Sequence, residues 1–189
     1  MIIQNLAQLW ECGLSSRKIS RVNLDEGFYL MDYCQRRRPK VVVEIGTKHA
    51  GTTFLLWMTN PQAKVITIDN KSEEHPIIVE NPDFLEQVEF VNADSHTYPN
   101  EHLSVDFLFI DGGHDYDQVK ADFLHWEDRI APDGTVIFHD AKEGNRPGVE
   151  RFMDELRRDS NRRGKWTEFV PLPSTLVQFR RIEHESLES

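Results

Sequence analysis

The chain has 189 residues, of which 39% are hydrophobic and 29% charged, and its formal net charge is −10. This length and composition predict one soluble globular domain with a sizeable core, and they exclude a disordered chain. The acidic balance argues against a nucleic-acid binder, which needs basic surface to neutralise phosphates, and no apolar run approaches the roughly 20 residues of a membrane span.

Features of the amino terminus and the cysteines predict a cytoplasmic protein. The opening Met-Ile-Ile-Gln-Asn carries no basic segment ahead of an apolar one, so no secretory signal is expected. Cys12 and Cys34 lack metal-ligand spacing. Free thiols in a reducing compartment are therefore expected, while a disulfide between these two cysteines stays open.

Residues 1–40 are predicted to form a helical appendage to a main domain that spans residues 41–189. A first short helix is expected within residues 1–22. Asn23 and Glu26 have the spacing of a capping box, which predicts the start of a second helix, and Pro39 ends it.

Short apolar runs that alternate with helical patterns predict a doubly wound, mostly parallel α/β sheet. The predicted strands cover residues 41–45, 64–69, 88–94, 105–111 and 135–140. Helices are expected from about residue 51, over 115–129 and over 149–158, with a short helix near Phe84. Pro132–Gly134 is predicted to be a turn, and residues 166–180 to form an antiparallel hairpin.

The segment that follows the first strand predicts a nucleotide-like ligand. Gly46, Ala50 and Gly51 allow a tight turn with close backbone approach, and Thr52 or Thr53 is expected to cap the next helix. A dinucleotide fingerprint has glycine where this chain has Glu44. Because the Glu44 charge would repel a pyrophosphate, a ligand with a cationic end is favoured, such as S-adenosylmethionine (SAM).

Carboxylates recur where the predicted strands end, and this is the strongest functional signal in the chain. The strand ends carry Glu44, Asp69, Asp94, Asp111 and Asp140. Parallel strands bring these ends to one edge of the sheet, where mutual repulsion of carboxylates is unfavourable unless a function needs them. Asp69, 18 residues after Gly51, is predicted to accept hydrogen bonds from ribose hydroxyls.

These motifs together resemble class I SAM-dependent methyltransferases. The matching segments are residues 44–51, Asp69, residues 92–94, residues 109–116 and residues 131–140. The last two resemble a branch with small O-methyltransferases of natural-product sugars, including macrolide sugars, and relatives of the cephalosporin hydroxylase. The resemblance implies a Rossmann-like seven-stranded sheet with an antiparallel last strand.

The resemblance also implies which residues hold the cofactor. SAM would lie on Glu44, Gly46, Thr47 and Gly51, with its ribose on Asp69 and its adenine near Asp94, and Asp111 would also face it. The acceptor would be a hydroxyl group of a small molecule, such as a sugar or a glycosylated metabolite.

Two residues are candidates for activating that hydroxyl. In one possibility, His114 acts as general base with Asp111 beside it. In the other, a divalent cation bound by Asp111, His139 and Asp140 lowers the pKa of the hydroxyl. Metal-dependent relatives carry an acidic or acid-amide pair where this chain has His139 and Asp140. Because Mg²⁺ prefers oxygen ligands, His139 leaves open Mg²⁺, a softer metal or none. The alternative for Asp111 and His114 is a flexible turn with no catalytic role.

Two other functions remain open from the sequence. One is a hydroxylase-like protein of the same fold, and the other is a protein that binds SAM without turnover. A homodimer in which residues 1–40 of a neighbouring copy cover the site is compatible with the same pattern.

Overall fold

A computed structural model describes residues 22–71, 81–142, 144, 146–159, 162, 164–169 and 175–182. The helix expected within residues 1–22 and Cys12 lie outside these described residues. Cys34 is buried and forms no disulfide with another of the described residues.

Seven strands form one sheet. They are β1 (Val41–Ile45), β2 (Lys64–Asp69), β3 (Val88–Asn92), β4 (Val105–Ile110), β5 (Ile130–Phe138), β6 (Trp166–Phe169) and β7 (Val177–Arg181).

Five α-helices flank the sheet in the described part of the chain. They are α1 (Leu24–Arg37), α2 (Gly51–Thr59), α3 (Pro82–Gln87), α4 (Tyr116–Trp126) and α5 (Pro147–Arg158). Two short 3₁₀ turns, Ser95–Thr97 and Glu127–Arg129, complete the regular structure.

The strand order β3-β2-β1-β4-β5-β7-β6 confirms the predicted fold class. β1 to β5 pair in parallel, while β7 runs antiparallel to both β5 and β6, as the C-terminal hairpin predicted. The order reverses between β1 and β4, so a crevice opens beyond their carboxyl ends. Apolar clusters cover both faces of the sheet, which explains why the central strands are apolar on both sides.

Helix α1 is part of the domain core. Asn23 and Glu26 form the predicted capping box, with both reciprocal hydrogen bonds present. Leu30 and Cys34 are fully buried and pack in the same cluster as Phe54 and Leu55 of α2. Residues 24–37 therefore hold a fixed position beside the first strand, and α1 can carry side chains into the crevice.

Two local predictions are wrong. Pro132–Gly134 belongs to β5 instead of forming a separate turn. The pairing of β4 with β5 shifts register between Val105 and Phe107, and this shift accommodates an irregular segment in which Asp133 has a φ of 63°. Helix α2 has Ala50 as its N-cap, with no side-chain capping bond, so neither Thr52 nor Thr53 caps it.

Thr53 instead points at Glu44. One Glu44 carboxyl oxygen, Oε2, accepts hydrogen bonds from the Thr53 hydroxyl and, at 2.7 Å, from the Thr67 hydroxyl. The other oxygen, Oε1, is buried without a partner among the described residues, and Glu44 is 1% exposed. Burial raises the Glu44 pKa to about 8, with the charges of Asp111 and Asp69 acting in the same direction against the two hydroxyls.

A Glu44 that is largely protonated at neutral pH carries no charge with which to repel a pyrophosphate or attract a cation. The prediction that its charge selects the ligand therefore finds no support in this burial. Through Thr67 and Thr53, the Glu44 side chain connects β1 to β2 and to α2, beneath the turn that follows β1.

No helix among the described residues has the length and apolar content that a membrane crossing requires.

The buried carboxyl makes stability depend on pH in a defined direction. Between pH 4.5 and about 8, native Glu44 keeps a proton that the unfolded chain has released. Rising pH then lowers the free energy of unfolding by up to about 1.4 kcal/mol per pH unit. We expect the free energy of unfolding, measured with urea at pH 5.5 and 7.5, to fall less with rising pH in E44Q than in wild type.

The exposed acid Asp83 provides the control, since D83N should leave the wild-type pH dependence unchanged. Parallel pH profiles for wild type and E44Q would contradict the assignment of a buried, protonated Glu44.

Candidate functional site

A cavity of about 790 Å³ lies beyond the carboxyl ends of the parallel strands. Its size falls in the range that holds a cofactor-sized ligand. Nine predicted site residues line it, namely Gly46, Thr47, Gly51, Asp69, Asp94, Asp111, His114, His139 and Asp140. Glu44 does not line the cavity, so its predicted direct contact with a ligand finds no support in the geometry.

The turn after β1 forms the floor of the cavity. Gly46 has a φ of +100°, and a Cβ atom there would lie 2.2 Å from the Asp111 carbonyl oxygen. Only glycine fits both the backbone angle and this close approach. The turn after β1 is thereby held against the start of the loop after β4, which places Gly46 and Asp111 side by side.

Asp69 organises the next part of the cavity wall. Its two carboxylate oxygens accept backbone N–H groups, one from Lys48 and one from Lys71, each at 2.9 Å. The Asp69 carbonyl accepts the Ala93 N–H at 3.0 Å, which holds the loop after β3 beside it. Asp94, in that loop, accepts a hydrogen bond of 2.7 Å from the Asn70 side chain.

His139 lies between two carboxylates at the opposite end of the cavity. Its Nδ1 is 2.8 Å from Asp111 Oδ1, and its Nε2 is 3.1 Å from Glu26 Oε2. The Nδ1 contact is an ion pair with poor hydrogen-bond alignment, since Nδ1 has no partner by hydrogen-bond geometry. Burial lowers the His139 pKa, but Asp111 and Glu26 outweigh burial and raise it to about 10.

Glu26 is a site residue that the sequence did not reveal. Besides His139, it accepts the Thr175 hydroxyl at 2.7 Å and the Thr175 N–H at 2.9 Å. Burial raises the Glu26 pKa, but these partners and the His139 charge bring it down to about 2. The capping box already gave Glu26 a local role in the sequence. Its partner His139 lies 113 residues away in the chain, so no local pattern connects the two.

The predicted metal ligands do not fit a divalent cation in this arrangement. Among the described residues, no group of three or more His, Cys, Asp or Glu side chains has the geometry to hold a metal ion. With carboxylates facing both ring nitrogens, His139 is favoured as an imidazolium, which has no lone pair to donate to a metal. His139 therefore supplies the positive charge between Asp111 and Glu26, in place of a bound cation.

His114 forms a separate pair with Asp140. The distance from His114 Nε2 to Asp140 Oδ2 is 3.1 Å, and Arg146 Nε is 3.3 Å from the same oxygen. The His114 hydrogen bond, which outweighs burial, lowers the Asp140 pKa to about 2, with support from His139 and Arg146. Because Asp140 accepts from His114 Nε2, the other ring nitrogen, Nδ1, is the one directed away from Asp140 as a candidate proton acceptor.

The cavity therefore combines acceptors for hydroxyl groups with a histidine able to take a proton. Four apolar side chains line it, those of Val22, Ile45, Ile68 and Ala93, and the remaining lining is polar or glycine. Such a lining suits a hydroxylated ligand better than an apolar one.

A comparison with known families identifies this architecture. Residues 43–141, more than half of the chain, match the family described as "Methyltransferase domain". This segment runs from within β1 to the residue after His139 and Asp140.

Solved structures of methyltransferases share the fold. An O-methyltransferase from Bacillus cereus in complex with S-adenosylhomocysteine (SAH) is 17% identical, with a TM-score of 0.71 over 96% of this chain and 93% of that chain. The O-methyltransferase TomG from Streptomyces achromogenes in complex with SAM is 15% identical, with a TM-score of 0.69 over 97% and 92%. A methyltransferase from Geobacter sulfurreducens is 15% identical, with a TM-score of 0.70 over 94% and 88%.

Among curated proteins, the uncharacterized protein y4gI of Sinorhizobium fredii is 42% identical over 57 residues. That alignment spans 30% of this chain and 6% of the relative.

The arrangement of His139 predicts weak divalent-cation binding. We expect calorimetric titration of Mg²⁺ or Mn²⁺ into chelator-treated protein to show no saturable binding tighter than about 1 mM. H139D removes the internal cation and leaves carboxylates together at positions 26, 111, 139 and 140. This variant should bind Mn²⁺ more tightly than wild type does.

H102D serves as the control, because it makes the same His→Asp replacement at an exposed position outside the cavity. Micromolar Mn²⁺ binding by wild type that H139D weakens would contradict the imidazolium assignment and favour His139 as a metal ligand.

Proposed function

We propose that the chain, which belongs to the methyltransferase-domain family, uses SAM to methylate a hydroxyl oxygen of a small molecule. The observation that carries the proposal is the His114–Asp140 pair, 3.1 Å apart at the cavity wall. An oxygen acceptor must lose its proton as it attacks the methyl carbon, and a neutral histidine is suited to take that proton.

We assign the cofactor to the part of the cavity between Gly46 and Asp94. Its ribose hydroxyls would donate to Asp69, at the end of β2. Its methionine part would follow the turn of Gly46, Thr47 and Gly51 towards Asp111. The sulfonium would then lie near the carboxylate of Asp111, which favours its positive charge.

The transfer is an in-line displacement at the methyl carbon. The acceptor oxygen forms a bond to that carbon, the carbon–sulfur bond breaks, and its electron pair stays on sulfur to give SAH. The hydroxyl proton moves to His114 Nδ1, while Asp140 stabilises the resulting imidazolium. Positioning of the two reactants supplies a large part of the rate.

The polar lining supports an acceptor that carries several hydroxyls, such as a sugar or a glycosylated metabolite. Asp111 and Asp140 provide carboxylate oxygens in the cavity that His114 lines, and Arg146 provides a donor. Val22, Asn23 and Glu26 line this end from the start of α1 in the same chain. A homodimer that adds further cover stays a prediction.

The ribose assignment is tested by binding. D69A should weaken SAH binding by about 10- to 100-fold, the loss expected for hydrogen bonds to an ionised carboxylate. Because Asp69 also holds two backbone N–H groups, SAH is compared with its 2′,3′-dideoxy analogue by calorimetry. Wild type should prefer SAH, and D69A should bind both alike. An unchanged preference in D69A would refute the assignment.

The base assignment is tested by turnover. H114A should lower methyl transfer from labelled SAM to a panel of hydroxylated acceptors, sugars included, by about 10²- to 10⁴-fold. SAH affinity should stay near the wild-type value, because His114 faces the acceptor end. H102A, at an exposed position outside the cavity, is the matched control. Wild-type turnover by H114A would contradict the proposal.

A further inference from the structure

The mechanism leaves one buried acid of the cavity unused. Asp122 lies on α4, lines the cavity and is 4% exposed. Its Oδ1 accepts a hydrogen bond from the Ser95 hydroxyl, and burial raises its pKa. A buried carboxyl costs stability unless its polar atoms are satisfied, and a neutral residue would pack there at lower cost.

The second oxygen of Asp122 remains available to a ligand. Ser95 supplies its one side-chain hydrogen bond among the described residues, and that bond goes to Oδ1. Among the described residues, two fully enclosed carboxyl or hydroxyl oxygens lack a hydrogen-bond partner, one in Glu44 and one in Thr135. Asp122 Oδ2 is not one of them, so it is not sealed from the cavity. A Cβ atom on Gly112 would lie 3.7 Å from Oδ2, so the absence of a side chain at Gly112 leaves the approach open.

The position of Asp122 relative to Asp69 indicates which part of a nucleoside would reach it. The Ala93 N–H binds the Asp69 carbonyl, so the loop that carries Ser95 begins directly beside the ribose site. With the ribose on Asp69, the base would lie beside this loop, which carries Asp94 and Ser95, and the Ser95 hydroxyl bonds Asp122.

We propose that Asp122, oriented by Ser95, accepts a hydrogen bond from the exocyclic amino group of the cofactor's purine and so selects adenine. The inference rests on the proposed function, because it needs the nucleoside to lie on Asp69. Hypoxanthine presents a keto oxygen where adenine presents N–H donors, so two acceptors would face each other. A site built to bind a donor rejects the analogue that lacks it.

The test compares the affinities of SAH and S-inosylhomocysteine. Wild type should prefer SAH by about 10- to 100-fold. In D122N the Ser95 hydroxyl still donates to the amide oxygen, which directs the amide N–H₂ into the cavity. The N–H₂ group suits a keto oxygen, so the preference for SAH should vanish or reverse. Asp117, exposed on the same helix, supplies the control D117N.

S95A provides a second variant should D122N fail to fold. Without the Ser95 hydroxyl, Asp122 loses its orientation, and the preference for SAH should fall at least threefold. A role of Asp122 in stability alone would lower both affinities equally and leave their ratio unchanged. That result would overturn the inference while SAH binding by wild type still supports the proposed function. If wild type binds neither compound, the proposed function falls and the inference falls with it.

Discussion

The geometry of the site depends on His139, which lies between the carboxylates of Asp111 and Glu26. These three residues come from the ends of β5 and β4 and from the first turn of α1, so one side chain joins three elements that are distant in sequence. Thr175 extends the connection, since its hydroxyl donates to Glu26 and accepts the Asp140 N–H at 3.3 Å. Removing one member of such a buried set leaves an uncompensated charge, which costs about 3–5 kcal/mol. The part of the cavity around His139 is therefore held by charge, whereas the part around Gly46 and Asp69 is shaped by backbone.

The carboxylates at the strand ends coexist because each has its own partner. Glu44 is largely neutral beneath the turn, Asp69 holds two backbone N–H groups, and Asp140 pairs with His114. Asp111 and Glu26 share the charge of His139. Repulsion at the edge of the sheet is thus offset locally, and the acids divide into those that support the structure and those that face the cavity. The sequence pattern indicated a functional edge without separating these two groups.

Residue patterns predicted most of the fold, because the signals for strands and turns are local. Apolar runs located β1 to β5, and the capping box located the start of α1. Pro132–Gly134 was misjudged because Pro and Gly usually mark turns, while pairing with β4 tolerates an irregular segment there. The charge expected on Glu44 finds no support in its burial, which a local pattern does not show. Glu26 and Asp122 escaped notice because their roles depend on contacts with His139 and Ser95, which only the folded chain brings together.

A crystal structure of the protein with SAH would show how the cavity orients cofactor and acceptor. We expect ribose hydroxyls on Asp69, the homocysteine part along the turn at Gly46, and the sulfur open towards His114 at the acceptor end. A nucleoside bound outside this cavity, or a sulfur turned away from His114 and Asp111, would contradict the account.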